Sequence, residues 1–186
     1  MFAACSCNEL QVNDKTSTPG FFNLDVFMQE QTDSLKKLNV IVTKITWFNN
    51  KTEEVFFRAD TGFWKREFDI ISSADISQPA ISGRYNTLES DSSGFSITAY
   101  EAVDPDIDGI SFMRVTRNGS GEILNIDISH KENNFLYHNR RNMNLDFWDS
   151  HGKLPGLLRE YRISGTQKII LRKEVSYEIK TILDFS

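Results

Sequence analysis

From Ile81 to Phe185, short segments of alternating apolar and polar residues follow one another, each closed by turn residues, with no helix-length apolar period among them. A chain patterned in this way folds back on itself strand by strand, which constrains it to a large antiparallel sheet. The expected strands run from Arg84 to Glu89, Phe95 to Ala102, Ile110 to Thr116, Ile123 to Ser129, Asn133 to Asn139, Met143 to Trp148, Leu158 to Leu171 and Val175 to Leu183. Asp91-Ser92-Ser93-Gly94 and Asn118-Gly119 carry hairpin chemistry, and Ser150 to Gly156 is the longest loop.

Such a sheet needs a cover for its apolar face, and the preceding residues supply one. Phe21, Leu24, Met28, Leu35 and Leu38 fall on one helical stripe that Phe27 widens and Gln31 interrupts, opening at Thr18-Pro19-Gly20. Val40 to Phe48 then alternates, with Ile41, Ile45 and Trp47 on the expected apolar side, and turns at Asn49-Asn50-Lys51 into a second strand, Glu53 to Arg58. A second helix is expected from Thr61 to Asp75, capped by Asp60 or Thr61 and ended by Gln78-Pro79, with Trp64, Phe68 and Ile71 in one line. The expected fold class is α+β: a curved antiparallel sheet of about ten strands, a meander or partial barrel, covered by two N-terminal helices. Residues 1–20 read as a leader and polar tether, and residues 21–186 as a single domain.

Composition narrows the function classes. The formal net charge is −5 with both signs interspersed, which argues against nucleic-acid binding. The densest basic pair, Arg140-Arg141, sits among asparagines and reads as a solvated turn. No apolar run reaches the roughly 20 residues that span a bilayer. The 14 phenylalanines suit core filling under helices better than a ligand site.

Cys5 and Cys7 are the chain's 2 cysteines, so the folded body holds no disulfide. Met1-Phe2-Ala3-Ala4-Cys5-Ser6 resembles the end of a bacterial lipoprotein signal peptide, in which an apolar residue and two small residues precede the cysteine that receives diacylglycerol. That resemblance implies lipidation at Cys5 and places the basic and apolar parts of the signal upstream of Met1. Ser6 to Pro19 is polar and aperiodic, a tether reaching about 45 Å when extended.

The body is similar to small lipoproteins of Gram-negative bacterial envelopes. Phe22-x-Leu24, Val42-Thr43-Lys44 before Asn50-Lys51, Ala74-Asp75-Ile76 before Pro79, Asp104-Pro105, and Tyr161-Arg162-Ile163 with Tyr177-x-Ile179 carry the resemblance. It implies a cell-envelope address, lipid-anchored at the outer membrane on the periplasmic or surface side, with no catalytic residue and no cofactor.

The residues that carry chemistry elsewhere are sparse here. Asp104, Asp106 and Asp108 have calcium-loop spacing, but Val115 stands where the bidentate glutamate belongs, so an acidic turn is expected. His130, His138 and His151 share no ligand spacing, and no nucleophile elbow or phosphate loop occurs. Glu53-Glu54, Glu89 and Glu101 carry little information as a paired-acid site. Of the tryptophans, Trp64 is expected in the core and Trp148, beside the long loop, is the best candidate for exposure.

The leading functional expectation is a non-enzymatic, membrane-tethered envelope protein that binds an envelope partner or has a structural role. The alternative is a periplasmic carrier or sensor of an apolar ligand held between sheet and helices, which resembles the half-barrel lipoprotein carriers in architecture alone. A filled core favours the first, an empty apolar concavity the second, and a cleft with convergent His or carboxylates a hydrolase.

Overall fold

The strands from Tyr85 onward pair in sequence order, and the opening hairpin then joins the end of that meander. The computed structural model describes residues 20–49, 51–104 and 106–185. Among them lie α1 (Leu24–Leu35), β1 (Val40–Phe48), β2 (Lys51–Arg58), α2 (Thr61–Ser72), α3 (Pro79–Ser82), β3 (Tyr85–Ser92), β4 (Phe95–Ala102), β5 (Gly109–Asn118), β6 (Ile123–Asn134), β7 (Tyr137–Phe147), β8 (Leu158–Ile169) and β9 (Val175–Phe185). The strands form one unclosed 9-stranded antiparallel sheet in the order β2-β1-β9-β8-β7-β6-β5-β4-β3. The leader with Cys5, and Pro105 in the acidic turn, lie outside the described residues.

The strand count differs from the expected ten at one place. Ile123 to Ser129, Asn133 to Asn139 and Met143 to Trp148 are two strands, not three. β6 continues through Lys131-Glu132-Asn133, the chain turns at Phe135-Leu136, and β7 continues through Arg140-Arg141. The polar residues that read as turns face one another across the ladder, with His130 opposite Arg141 and Glu132 opposite Asn139. Arg140-Arg141 is therefore mid-strand.

All three helices begin on side-chain or proline signals. Asn23 caps α1 by accepting from Val26 N–H at 2.9 Å, so the helix starts after Phe22 and not at Pro19. Asp60 caps α2 through Phe63 N–H at 2.6 Å, as expected. Pro79 opens α3, whereas α2 stops at Ser72 with Ser73 as its C-cap, short of the expected Asp75 and before Gln78-Pro79 is reached.

The helix-covered face of the sheet is the core. Trp64, Phe68 and Ile71 of α2 and Leu24, Met28 and Leu35 of α1 are at most 2 % exposed. They meet Val42, Leu183, Tyr161, Leu145, Ile126 and Met113 from successive strands. On β1 the buried side is Val40 and Val42, so the expectation for Ile41, Ile45 and Trp47 is inverted; Trp47 is 37 % exposed on the outer face. Lys44, which shares the inner side, is accommodated because its Nζ lies 2.7 Å from Glu67 Oε1 of α2. The same oxygen accepts from the Tyr161 hydroxyl. Burial, reinforced by the Glu67 charge and hydrogen bond, pushes that phenol well above its ordinary 10.0 and keeps it a donor. The trio docks α2 across β8, β9 and β1.

Gln31 interrupts the α1 stripe for a related reason. It is buried; its Nε2 donates to Gly156 O at 2.9 Å and its Oε1 accepts from Leu158 N–H at 2.9 Å. It satisfies two backbone groups of the loop entering β8, each of which would cost about 1–3 kcal/mol if left buried and unpaired.

Candidate ligand-binding cleft

Where α2 ends, the chain does not stay helical but runs through Ala74, Asp75, Ile76 and Ser77, all buried, into α3. Asp75 fixes this crossing: its carboxylate accepts from Leu24 N–H at 3.0 Å, Ser77 N–H at 3.3 Å and the Ser77 hydroxyl at 2.9 Å. The crossing leaves the far end of the inner sheet face uncovered by α2. A cleft of about 190 Å³ opens there, between α2, α3, the β4–β5 connection and the inner faces of β5, β6 and β7. Its walls are apolar, with Ile70, Ile76, Ile81, Ile110 and Met143, and its polar lining includes Arg84, Tyr85, His130 and Arg141.

Strand alternation places the last two. In β6, His130 shares the side of Ile126 and Ile128; in β7, Arg141 shares the side of Met143 and Leu145. The two are direct partners across the ladder. His130 Nδ1 is buried without a hydrogen-bond partner among the described residues. Burial, and next the adjacent Arg141 charge, hold the imidazole below its ordinary 6.5 against weaker opposing pulls from Glu132 and Asp108, so it is neutral at pH 7. Arg141 donates from Nε to the Tyr177 hydroxyl at 3.4 Å, a long contact that leaves the guanidinium fork for a better acceptor. Tyr85 donates its hydroxyl to Ile110 O at 2.8 Å and fixes the cleft wall.

The two carboxylates of the lining are engaged by the backbone. Besides Asp75, Asp108 Oδ1 accepts from Asn133 N–H at 2.7 Å. Asp104 Oδ1 likewise accepts from Asp106 N–H at 2.9 Å, an Asx turn. No carboxylate or hydroxyl hydrogen-bonds His130 Nδ1 among the described residues.

The remaining singled-out residues lie apart from the cleft. His138 is on the outer face, with Nδ1 3.1 Å from Asn133 Oδ1. His151 is in the long loop, where its N–H donates to Asp149. Trp148, the best candidate for exposure among the tryptophans, is half-buried against the core, with Arg159 stacked 5.6 Å from its ring. The sequence neighbours of Arg141 are polar, so local pattern alone assigns it to a turn. Counting by twos back from Phe147, Leu145 and Met143 reaches it.

Comparison of the chain with models of protein families, with curated proteins and with solved structures finds no match.

Proposed function

We propose that the chain is a non-enzymatic binding protein of the bacterial cell envelope, tethered to the membrane by a lipid on Cys5, and that the cleft at His130 and Arg141 holds its ligand. The observation that carries the cleft is the neutral imidazole with a buried, unpartnered Nδ1 beside a guanidinium with open donors. An unpaired buried polar atom costs about 1–3 kcal/mol, which a ligand donor recovers on binding. The matching ligand is a small carboxylate with an adjacent O–H or N–H. The carboxylate meets the Arg141 fork, and the neighbouring donor meets Nδ1 in the tautomer protonated at Nε2. A volume of about 190 Å³ suits a compound of a few carbons, below the range of drug-sized pockets.

The buried Trp64, Phe68 and Ile71 support this reading over an apolar carrier, because they occupy the space such a ligand needs. The finer shape, a strongly bent sheet wrapped on its helices, belongs to the same proposal.

Two measurements test it. Expressed with its upstream codons, the protein is expected in the detergent phase and Cys5→Ser in the aqueous phase; a soluble wild type of unmodified mass overturns the address. Calorimetry with a panel of short hydroxy- and amino-carboxylates, with acetate and phosphate as controls, is expected to find one binder. Arg141→Met is expected to weaken that binder at least about tenfold, one charged hydrogen bond's worth. If no compound binds, or Arg141→Met binds it equally, the cleft is not the site.

A further inference from the structure

The β6–β7 and β8–β9 turns lie side by side at one end of the sheet: Tyr137 pairs with Ile169, and Ile170 N–H donates to Leu136 O at 2.9 Å. Together they expose Phe135, Leu136, Ile169, Ile170 and Leu171, with Phe135 at 87 % and Leu171 at 99 %. Single exposed apolar residues need no explanation, but five contiguous ones at a protruding tip do. Leu171 is also held at φ 62°, a left-handed backbone that leucine rarely adopts. Nothing in the fold is gained by presenting that side chain to water.

The tip has a basic collar. Lys168, Arg172 and Lys173 flank the apolar residues, are exposed, and form no ion pair among the described residues. Elsewhere on the outer face three cations are paired: Arg114 with Asp127, Arg162 with Glu178, and Lys180 with Glu160. Directly behind the tip, on the outer face, His138, Arg140 and Lys168 line an open polar groove of about 640 Å³ with Asn142, Ser164 and Thr166. Glu174 is the one carboxylate in that lining. In a chain of net charge −5, this end is locally cationic.

We propose that this tip docks on an anionic bilayer surface, with Phe135, Leu136, Ile170 and Leu171 entering the headgroup–acyl boundary and the groove at Arg140 and Lys168 receiving a lipid phosphate. Apolar side chains that reach below the headgroups and cations that stay among them are the two parts of interfacial binding. The groove supplies the second part at the position where the first would place a headgroup. A protein partner would leave the unpaired collar unexplained unless it too were acidic, so charge complementarity favours the membrane. The inference does not rest on the lipid at Cys5.

The full chain carrying Cys5→Ser, which removes any lipid anchor, is mixed with vesicles of phosphatidylcholine alone or with added phosphatidylglycerol and sedimented. Binding is expected with the anionic vesicles and is expected to weaken with salt. Changing Lys168, Arg172 and Lys173 together to glutamine is expected to lower it on the order of 100-fold, about fivefold per cation. Phe135→Ser with Leu171→Ser should abolish it while leaving the melting temperature near wild type, because both side chains are exposed. As a direct readout, Leu171→Trp should shift its fluorescence to the blue on anionic vesicles. Absence of binding, or binding indifferent to both tip variants, overturns the proposal. Concentration-dependent self-association that the same serine variants remove overturns it too, in favour of a protein contact.

Discussion

Replacing Phe68 by alanine is expected to cost about 3–5 kcal/mol in a urea melt, a large part of the ~5–15 kcal/mol that stabilises a domain of this size. The ring is 2 % exposed at the centre of α2, with its centroid 5.6 Å from Trp64 and 6.1 Å, edge-on, from Tyr161. Those neighbours cannot close over the gap. Trp64 is wedged against Phe63 at 5.0 Å, and Tyr161 is held by its hydrogen bond to Glu67. The cavity term therefore adds to the lost transfer energy in full. The result also discriminates between functions, since a side chain lining an empty ligand chamber tolerates truncation. A loss below about 1 kcal/mol, with a co-purifying lipid lost at the same time, would move the assignment to the apolar carrier.

The parts of the fold that were legible in the sequence are those where polarity and position agree. The spacing of Trp64, Phe68 and Ile71 and the cap at Asp60 located α2, and Phe95 to Ala102 is β4 with its expected bounds. Reading failed where polarity and position disagree. The β6–β7 turn is apolar at Phe135-Leu136, and the strands it joins are polar mid-length, so turn and strand exchanged their signatures. On β1 the interior position of Lys44 depends on Glu67, more than twenty residues away, and no local pattern carries that information. Without it, Ile41, Ile45 and Trp47 look like the buried side.

The cleft was hidden by the same effect. His130 is a single histidine in sequence and Arg141 half of a basic pair; they meet because β6 and β7 are longer than their apolar residues mark. What makes Arg141 legible is its alternation with Met143 and Leu145, which requires knowing that the strand continues past Asn142. The buried, unpaired Nδ1 has no trace in sequence, because it depends on where the helix cover gives way to the crossing at Ala74-Asp75.

Gly165→Ala is expected to be among the most damaging single-methyl additions, at about 3 kcal/mol, the upper end for overpacking. Gly165 lies in β8 between Arg141 on one side and Tyr177 on the other. A Cβ there would stand 2.3 Å from Arg140 O and 2.8 Å from the Tyr177 hydroxyl. Glycine in a strand interior marks such a close approach, and here it lets the Tyr177 ring lie across β8 and take the hydrogen bond from Arg141 Nε. The consequence reaches the cleft: displacing Tyr177 frees the Arg141 guanidinium, so any folded Gly165→Ala protein should also bind the proposed carboxylate ligand more weakly. The two overlaps are separable. Tyr177→Phe removes the hydroxyl but leaves the carbonyl of Arg140, which belongs to the ladder and cannot retreat without breaking its pairing. The double variant should therefore recover only a small part of the lost stability. Full recovery would locate the conflict at the tyrosine and would show that the β7–β8 ladder accommodates the methyl group.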